Sequence, residues 1–274
     1  MKDEIIHGDA LNILKTMPAE SGDCIITSPP YYKQRDYNVK HQIGQEKTVD
    51  EYVNKLCDIF DEGKRILKSS GSCWVNLGDK YNEKTRSLYL APERFAIEMI
   101  KRGWIIKNQI IWQKRNCMPN SDGRKFTIDY EKVFFFVKTN KYYFKQQLEP
   151  ASDTSDTDYR QALRKKQSDQ YNLKKPYKNN FPKSFRDDGN RNKRCVWDIP
   201  TKPYKEAHFA TFPEELVETP IDAGCPQDGI VLDPFMGSGT TGLVAKKYQK
   251  HYIGIELKKE YIKIAEDKIG LFLF

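Results

Sequence analysis

Gly237-Ser238-Gly239-Thr240-Thr241-Gly242 follows the apolar run Gly229-Ile230-Val231-Leu232-Asp233 and opens a helical segment near Thr241 to Tyr248. This is the G-x-G-x-x-G pattern of a strand-to-helix turn. Its glycines let the backbone bend tightly and approach a bound nucleoside beside a positive helix N-terminus. Tyr252-Ile253-Gly254-Ile255-Glu256 then ends in a carboxylate placed to accept hydrogen bonds from ribose hydroxyls. Only 35 residues follow Gly239, room for about one more strand and helix, and an open nucleotide-binding sheet needs further strands. Those strands must come from the N-terminal part of the chain, so the cofactor half is last in sequence although central in space. A dehydrogenase in the usual order carries this turn near its front, which counts against a nicotinamide cofactor.

The N-terminal part supplies what is needed. Short apolar runs centred on Ile5, Ile25, Trp74, Ile111 and Phe135 read as strands, which with Leu232 and Ile255 makes seven. Helical periodicity falls between them, at Ala10 to Met17, Val49 to Leu67 and Pro92 to Lys101, and again at Phe212 to Ala223 with Pro213 in a first-turn position. The strand expected at Ser72 to Leu77 follows a break at Ser69-Ser70-Gly71. Alternating strands and helices predict an α/β fold with a mostly parallel sheet. Mean hydropathy is low at −0.75, yet 14 Phe, 16 Tyr and 4 Trp argue for a folded chain rather than a disordered one. No apolar run approaches the ~18 residues of a membrane span, and Met1-Lys2-Asp3-Glu4 opens no signal sequence. Six scattered cysteines offer neither a zinc site nor a disulfide framework, so no metal is expected and a reducing cytoplasm is.

The net charge of +8 is concentrated. Tyr159 to Lys205 holds 14 basic and 4 acidic residues, against 32 and 34 in the remainder. Arg164, Lys165, Lys166, Lys174 and Lys175 lie in this stretch, interleaved with Tyr171, Tyr177, Phe181, Phe185 and Trp197. Such a segment suits phosphate contacts and base-edge readout; the alternative is a solvated loop that only aids solubility.

A second motif, Thr27-Ser28-Pro29-Pro30-Tyr31, follows the second strand. Its two prolines remove two N–H donors and stiffen a turn whose carbonyls are free to accept. Ser28 adds a hydroxyl and Tyr31 an aromatic face, at the carboxyl end of a strand where open α/β sheets place their sites. Pro29-Pro30-Tyr31-Tyr32 also matches a WW-domain ligand, which belongs in exposed disordered segments instead.

In combination these motifs resemble the S-adenosylmethionine-dependent amino-methyltransferases of DNA, specifically their beta order, in which the catalytic motif precedes the target-recognition region and the cofactor motif comes last. The ordered matches are Gly8-Asp9-Ala10-Leu11, Ser28-Pro29-Pro30-Tyr31, the basic stretch, His208-Phe209-Ala210-Thr211-Phe212-Pro213, Asp233-Pro234-Phe235-Met236-Gly237-Ser238-Gly239-Thr240-Thr241 and Ile253-Gly254-Ile255-Glu256. Trp112 to Val137, with Met118-Pro119 and Glu131, looks like the family's strand pair ahead of the recognition region. The resemblance implies a class I methyltransferase (Rossmann-like) fold: a circularly permuted seven-stranded sheet with one antiparallel strand and an inserted DNA-recognition region. Residues 1–145 would form the catalytic half, 146–205 the target-recognition region and 206–274 the cofactor half.

By position, the resemblance places Asp9, Ala10, Thr211, Phe212, Pro213, Phe235, Gly237, Ser238, Gly239, Thr240, Thr241 and Glu256 at the S-adenosylmethionine site. Asp233 would orient the turn and the methionine amino group. It implies catalysis by Ser28 Oγ and the Pro29 carbonyl, accepting from an exocyclic base amine whose lone pair is otherwise delocalised into the ring. Pro30 would stiffen the turn, and Tyr31 would stack on a base flipped out of duplex DNA. Ser rather than Asp at the first catalytic position favours N4 of cytosine over N6 of adenine. No cysteine follows a proline, which disfavours carbon-5 methylation. An inactive DNA-binding protein of the same fold, and an RNA or protein methyltransferase, are the nearest rivals. The resemblance leaves room for a homodimer, a partner restriction endonuclease and nucleoid association through DNA.

Overall fold

The computed structural model describes residues 2–39, 42–150, 190–201 and 212–271. In chain order the strands are β1 (Glu4–His7), β2 (Gly22–Thr27), β3 (Leu67–Leu77), β4 (Ile105–Gln113), β5 (Tyr130–Val137), β6 (Leu148–Pro150), β7 (Asn190–Asn192), β8 (Val196–Asp198), β9 (Ile230–Asp233) and β10 (His251–Glu256). The helices are α1 (Ala10–Thr16), α2 (Val49–Ile66), α3 (Ala91–Lys101), α4 (Glu214–Gly224), α5 (Thr240–Lys247) and α6 (Lys259–Gly270). Two compact units result, Met1–Lys145 with Cys195–Phe274, and Gln146–Arg194.

The larger unit is built on one sheet with the order β1-β10-β9-β2-β3-β5-β4-β8. Only β5 runs antiparallel, to both β3 and β4. All seven expected strands are present, but the described sheet has eight, because Val196–Asp198 adds a parallel edge strand to β4. Three residues are too few to show a period, and their partner Ile111 lies far away in sequence, so this strand is invisible to local pattern. Residues 196–198 thereby form part of the sheet of the larger unit. The third strand also starts earlier than expected: α2 stops at Ile66, and Ser69, Ser70 and Gly71 continue the extended backbone of β3.

Strand residues alternate between two cores. Ile25, Cys73, Val75, Phe134, Phe136, Leu232 and Ile255 pack under α1, α2 and α3. Cys24, Ile26, Trp74, Phe135, Val231 and Tyr252 face the opposite layer of α4, α5 and α6. The sheet is therefore covered on both faces, as parallel sheets require. The helix α2 shows how the sequence encodes this: Thr48 and Glu51 form a capping box, and Tyr52, Val53, Leu56, Cys57, Ile59, Phe60, Gly63 and Ile66 are buried along one face. Within the smaller unit, β6 pairs antiparallel with β7, and Glu149 holds Arg191 and Arg194 at 2.9 and 2.6 Å. Among the described residues no helix is long and apolar enough to cross a membrane.

The strands β9 and β10 lie between β1 and β2. This interleaving sets Glu256 opposite His7 and Asp233 opposite Gly254. Thr27, Asp233, Glu256 and the Gly8 turn thus gather at the carboxyl edge of neighbouring strands.

Candidate active site

One cleft opens at this edge, with about 1020 Å³ of empty space that includes its open mouth. Its wall carries Asp9, Ala10, Ser28, Pro30, Phe212, Phe235, Gly237, Ser238, Thr240 and Glu256 from the expected set. Glu256 ends β10 with both oxygens tied to backbone: Oε2 accepts from Gly237 N at 2.8 Å and Oε1 from Lys258 N at 2.8 Å. Burial raises its pKa against the pull of these donors. Asp9 caps α1 through Asn12 N at 3.0 Å and lines the cleft as well, so capping and facing the ligand are compatible.

Asp233 is placed differently. It is 1% exposed; its Oδ1 accepts from Thr27 Oγ1 at 2.6 Å and Phe235 N at 3.0 Å, and its Oδ2 from Thr241 Oγ1 at 2.6 Å. Burial pushes its pKa up to about 6, opposed by those same hydrogen bonds. Asp233 therefore orients the Gly-rich turn from behind. Neither it, Gly239, Thr241 nor Pro213 reaches the described cleft wall, so a direct hold of Asp233 on the methionine amino group is not what this geometry offers. Gly239 has φ +81°, and a Cβ there would lie 2.7 Å from Ala265 Cβ on α6; glycine serves both backbone and packing. Pro213 is the N-cap of α4 rather than a first-turn residue. Thr211 and His208 lie outside the described residues, as do Arg164, Lys165, Lys166, Lys174 and Lys175.

The catalytic turn is braced from below. Tyr52 Oη donates to the Pro30 carbonyl at 2.9 Å, and no hydrogen bond among the described residues engages the Pro29 carbonyl. Tyr31 does not line the cleft wall. Its ring edge lies against Gly78, where a Cβ would come within 2.8 Å, and its hydroxyl donates to Glu131 Oε2 at 2.6 Å. Burial, followed by the Glu131 charge, holds the Tyr31 phenol well above its usual pKa. Asn76 Nδ2 donates to Tyr31 Oη at 2.7 Å and Glu131 Oε2 at 2.8 Å, and Lys114 pairs with Glu131 Oε1. Asn76 and Lys114 were missed in the sequence, although a polar Asn inside the apolar strand Ser72–Leu77 is a usable signal of a buried network. The cleft residues Tyr37, Val39, Gln42, Ile43, Leu257 and Lys258 were missed too, since loops between elements carry no period, and so was Tyr261 in the first turn of α6.

A doubly covered sheet with a Gly-rich turn, a strand-end carboxylate and Ser28 and Pro30 of the Ser-Pro-Pro-Tyr turn around one cleft defines a class I methyltransferase fold. Solved structures agree. The PvuII DNA methyltransferase (cytosine-N4-specific) superposes with a TM-score of 0.73 at 22% identity, covering 98% of this chain and 86% of that one. A Thermus thermophilus DNA modification methylase complexed with S-adenosyl-L-methionine gives 0.67 at 23%, covering 98% and 93%. The family model for DNA methylase matches residues 22–267. Across 97% of the chain, identity is 34% to the Type II methyltransferase M.Cfr9I of Citrobacter freundii (87% of that protein) and 33% to M.SmaI of Serratia marcescens (90%). The chain belongs to the DNA methylase family.

The cofactor of that family, S-adenosylmethionine, fits the residues present. Glu256 and Asp9 offer carboxylate oxygens to hydroxyl and amino groups, while Ala10, Phe235, Ile255 and Leu257 supply apolar wall for a purine.

Proposed function

We propose that this chain is a Type II DNA methyltransferase that methylates the exocyclic N4 amine of a flipped-out cytosine in duplex DNA. The observation that carries this reading is that Ser28 shares one cleft wall with Gly237 and Glu256, so the amine acceptor and the cofactor turn address the same space. The cofactor, when bound, supplies an electrophilic sulfonium methyl. The chain's task is to hold the amine in line with it, and positioning of this kind accounts for a large part of such rate gains. Ser28 Oγ and the free Pro29 carbonyl accept the two amine hydrogens, which favours a tetrahedral nitrogen with an available lone pair. Tyr31, half-buried against Gly78, gives the extruded base an aromatic partner.

The choice of cytosine rests on Ser28 and on the N4-specific PvuII enzyme among the structural relatives; the family itself spans N6 and N4 methylases. The basic residues 159–205 are the DNA-recognition region of this proposal, with a partner endonuclease and the cytoplasm as its setting. Mass spectrometry of nucleosides from DNA methylated by the purified protein tests it. N4-methylcytosine is the expected product, and N6-methyladenine as the sole product would refute the cytosine assignment while leaving the family untouched.

A further inference from the structure

Ser28, Tyr31, Asn76, Lys114 and Glu131 come from two loops and two strands and meet in one hydrogen-bonded chain. Ser28 Oγ lies 3.1 Å from Tyr31 Oη, and either could donate by distance alone. Counting donors settles the direction. A carboxylate only accepts, while the Asn amide nitrogen and the Lys ammonium only donate. The Tyr31 hydrogen is committed to Glu131 Oε2 at 2.6 Å. Asn76 Nδ2 donates toward Tyr31 Oη and Glu131 Oε2 at 2.7 and 2.8 Å, and more weakly to Ser28 Oγ at 3.4 Å. Lys114 occupies the other oxygen, Oε1. Tyr31 Oη, with its single hydrogen spent, can only accept from Ser28. In that contact the Ser28 hydroxyl is therefore the donor, and Ser28 Oγ keeps a lone pair for the cleft.

We infer that Glu131 is a positioning residue that fixes the Ser28 hydroxyl as an acceptor toward the target amine and takes up the amine's proton through Ser28 and Tyr31. The balance closes. The nitrogen lone pair forms the N–CH₃ bond as the S–CH₃ bond breaks, and its electron pair stays on sulfur as a neutral thioether. One amine proton passes to Ser28 Oγ, the Ser28 hydrogen passes to Tyr31, and the Tyr31 hydrogen passes to Glu131. The positive charge lost from sulfur is matched by the negative charge lost from Glu131. Gly78 makes the arrangement possible. It follows Leu77, the last residue of β3, and a Cβ there would come within 2.8 Å of the Tyr31 ring, which packs against this position. This inference rests on the amine-methyltransferase reading of Ser28.

Glu131→Gln tests it isosterically. Whichever way the new amide faces, its NH₂ opposes either Lys114 or the Tyr31 and Asn76 donors. The single-turnover rate of methyl transfer to unmethylated genomic DNA should fall ~100-fold, the lower range for an assisted proton transfer. The KM for DNA and the calorimetric affinity for S-adenosylmethionine should stay within about two-fold. Tyr31→Phe, which removes one oxygen, should give a similar loss. In the Ser28→Ala background neither change should add more than about two-fold, because the residues act through one chain. Losses that multiply in the double variants overturn the inference, as does a wild-type rate for Glu131→Gln while Ser28→Ala is slow. A wild-type rate for Ser28→Ala instead defeats the underlying reading of Ser28. Should Glu131→Gln fail to fold, the Tyr31→Phe and Ser28→Ala pair decides by the same criterion of multiplying or shared losses.

Discussion

Replacing Asp233 by Asn removes one titrating group from the middle of the sheet while keeping its shape. The amide can reproduce the native contacts: its oxygen accepts from Phe235 N and Thr27, and its NH₂ donates to Thr241 Oγ1, a hydroxyl that turns from donor to acceptor. What changes is the proton. With a folded pKa of about 6 against 3.8 unfolded, the native state binds this proton more tightly than the unfolded state does. Stability contributed at this site therefore falls as pH rises between those two values. The cost of holding the ionised carboxylate is about 3 kcal/mol at pH 7 and under about 1 kcal/mol at pH 4, from about 1.4 kcal/mol per pKa unit. Urea unfolding of both proteins without cofactor should show the wild type losing about 2 kcal/mol relative to Asp233→Asn between pH 4 and pH 7. A stability difference independent of pH across that interval would refute the argument that burial outweighs the three hydrogen bonds.

Glu256→Gln should weaken S-adenosylmethionine binding by ~1.5–3 kcal/mol, the scale for hydrogen bonds to a charged group, because one amide cannot accept from Gly237 N, Lys258 N and a ligand with both its atoms; calorimetry showing unchanged affinity in the folded variant refutes this. Gly239→Ala should lower stability by ~1–3 kcal/mol through its φ of +81° and the 2.7 Å approach to Ala265, and an unchanged melting temperature would contradict the packing of α6 on the turn. Neutralising Arg164, Lys165, Lys166, Lys174 and Lys175 should flatten the log–log salt dependence of DNA binding by ~0.9 per lost phosphate contact, with cofactor affinity intact. A constant slope would leave that stretch a solvated surface.

The parts of the site legible in the sequence are those carried by local chemistry. Gly237 to Thr241, Glu256 and Ser28 each sit within a few residues of the strand end that positions them, so motif and geometry coincide. Glu131 and Asn76 do not: they lie 100 residues from Tyr31 and 48 from Ser28, and only the β3–β5 pairing brings them together. Asp233 shows a different limit. Its place in the motif was readable, but whether its carboxylate faced ligand or protein depended on Thr27, which reaches it across the β2–β9 pairing. The edge strand Val196–Asp198 was hidden for the same reason, since its identity comes from Ile111 and Trp112 and not from itself.

The interleaving of β9 and β10 between β1 and β2 also governs how the protein comes into being. Glu4 must wait for Ile253, about 250 residues later, before β1 gains the neighbour that fixes it in the sheet. At ~5–20 residues per second that is roughly 12–50 s of synthesis on the ribosome. Until then Ser28 faces a cleft with no Gly-rich turn and no Glu256, so a nascent or prematurely ended chain has nowhere to hold a methyl donor. For a DNA methylase, this ordering makes the cleft around Ser28 wait for the synthesis of β9 and β10.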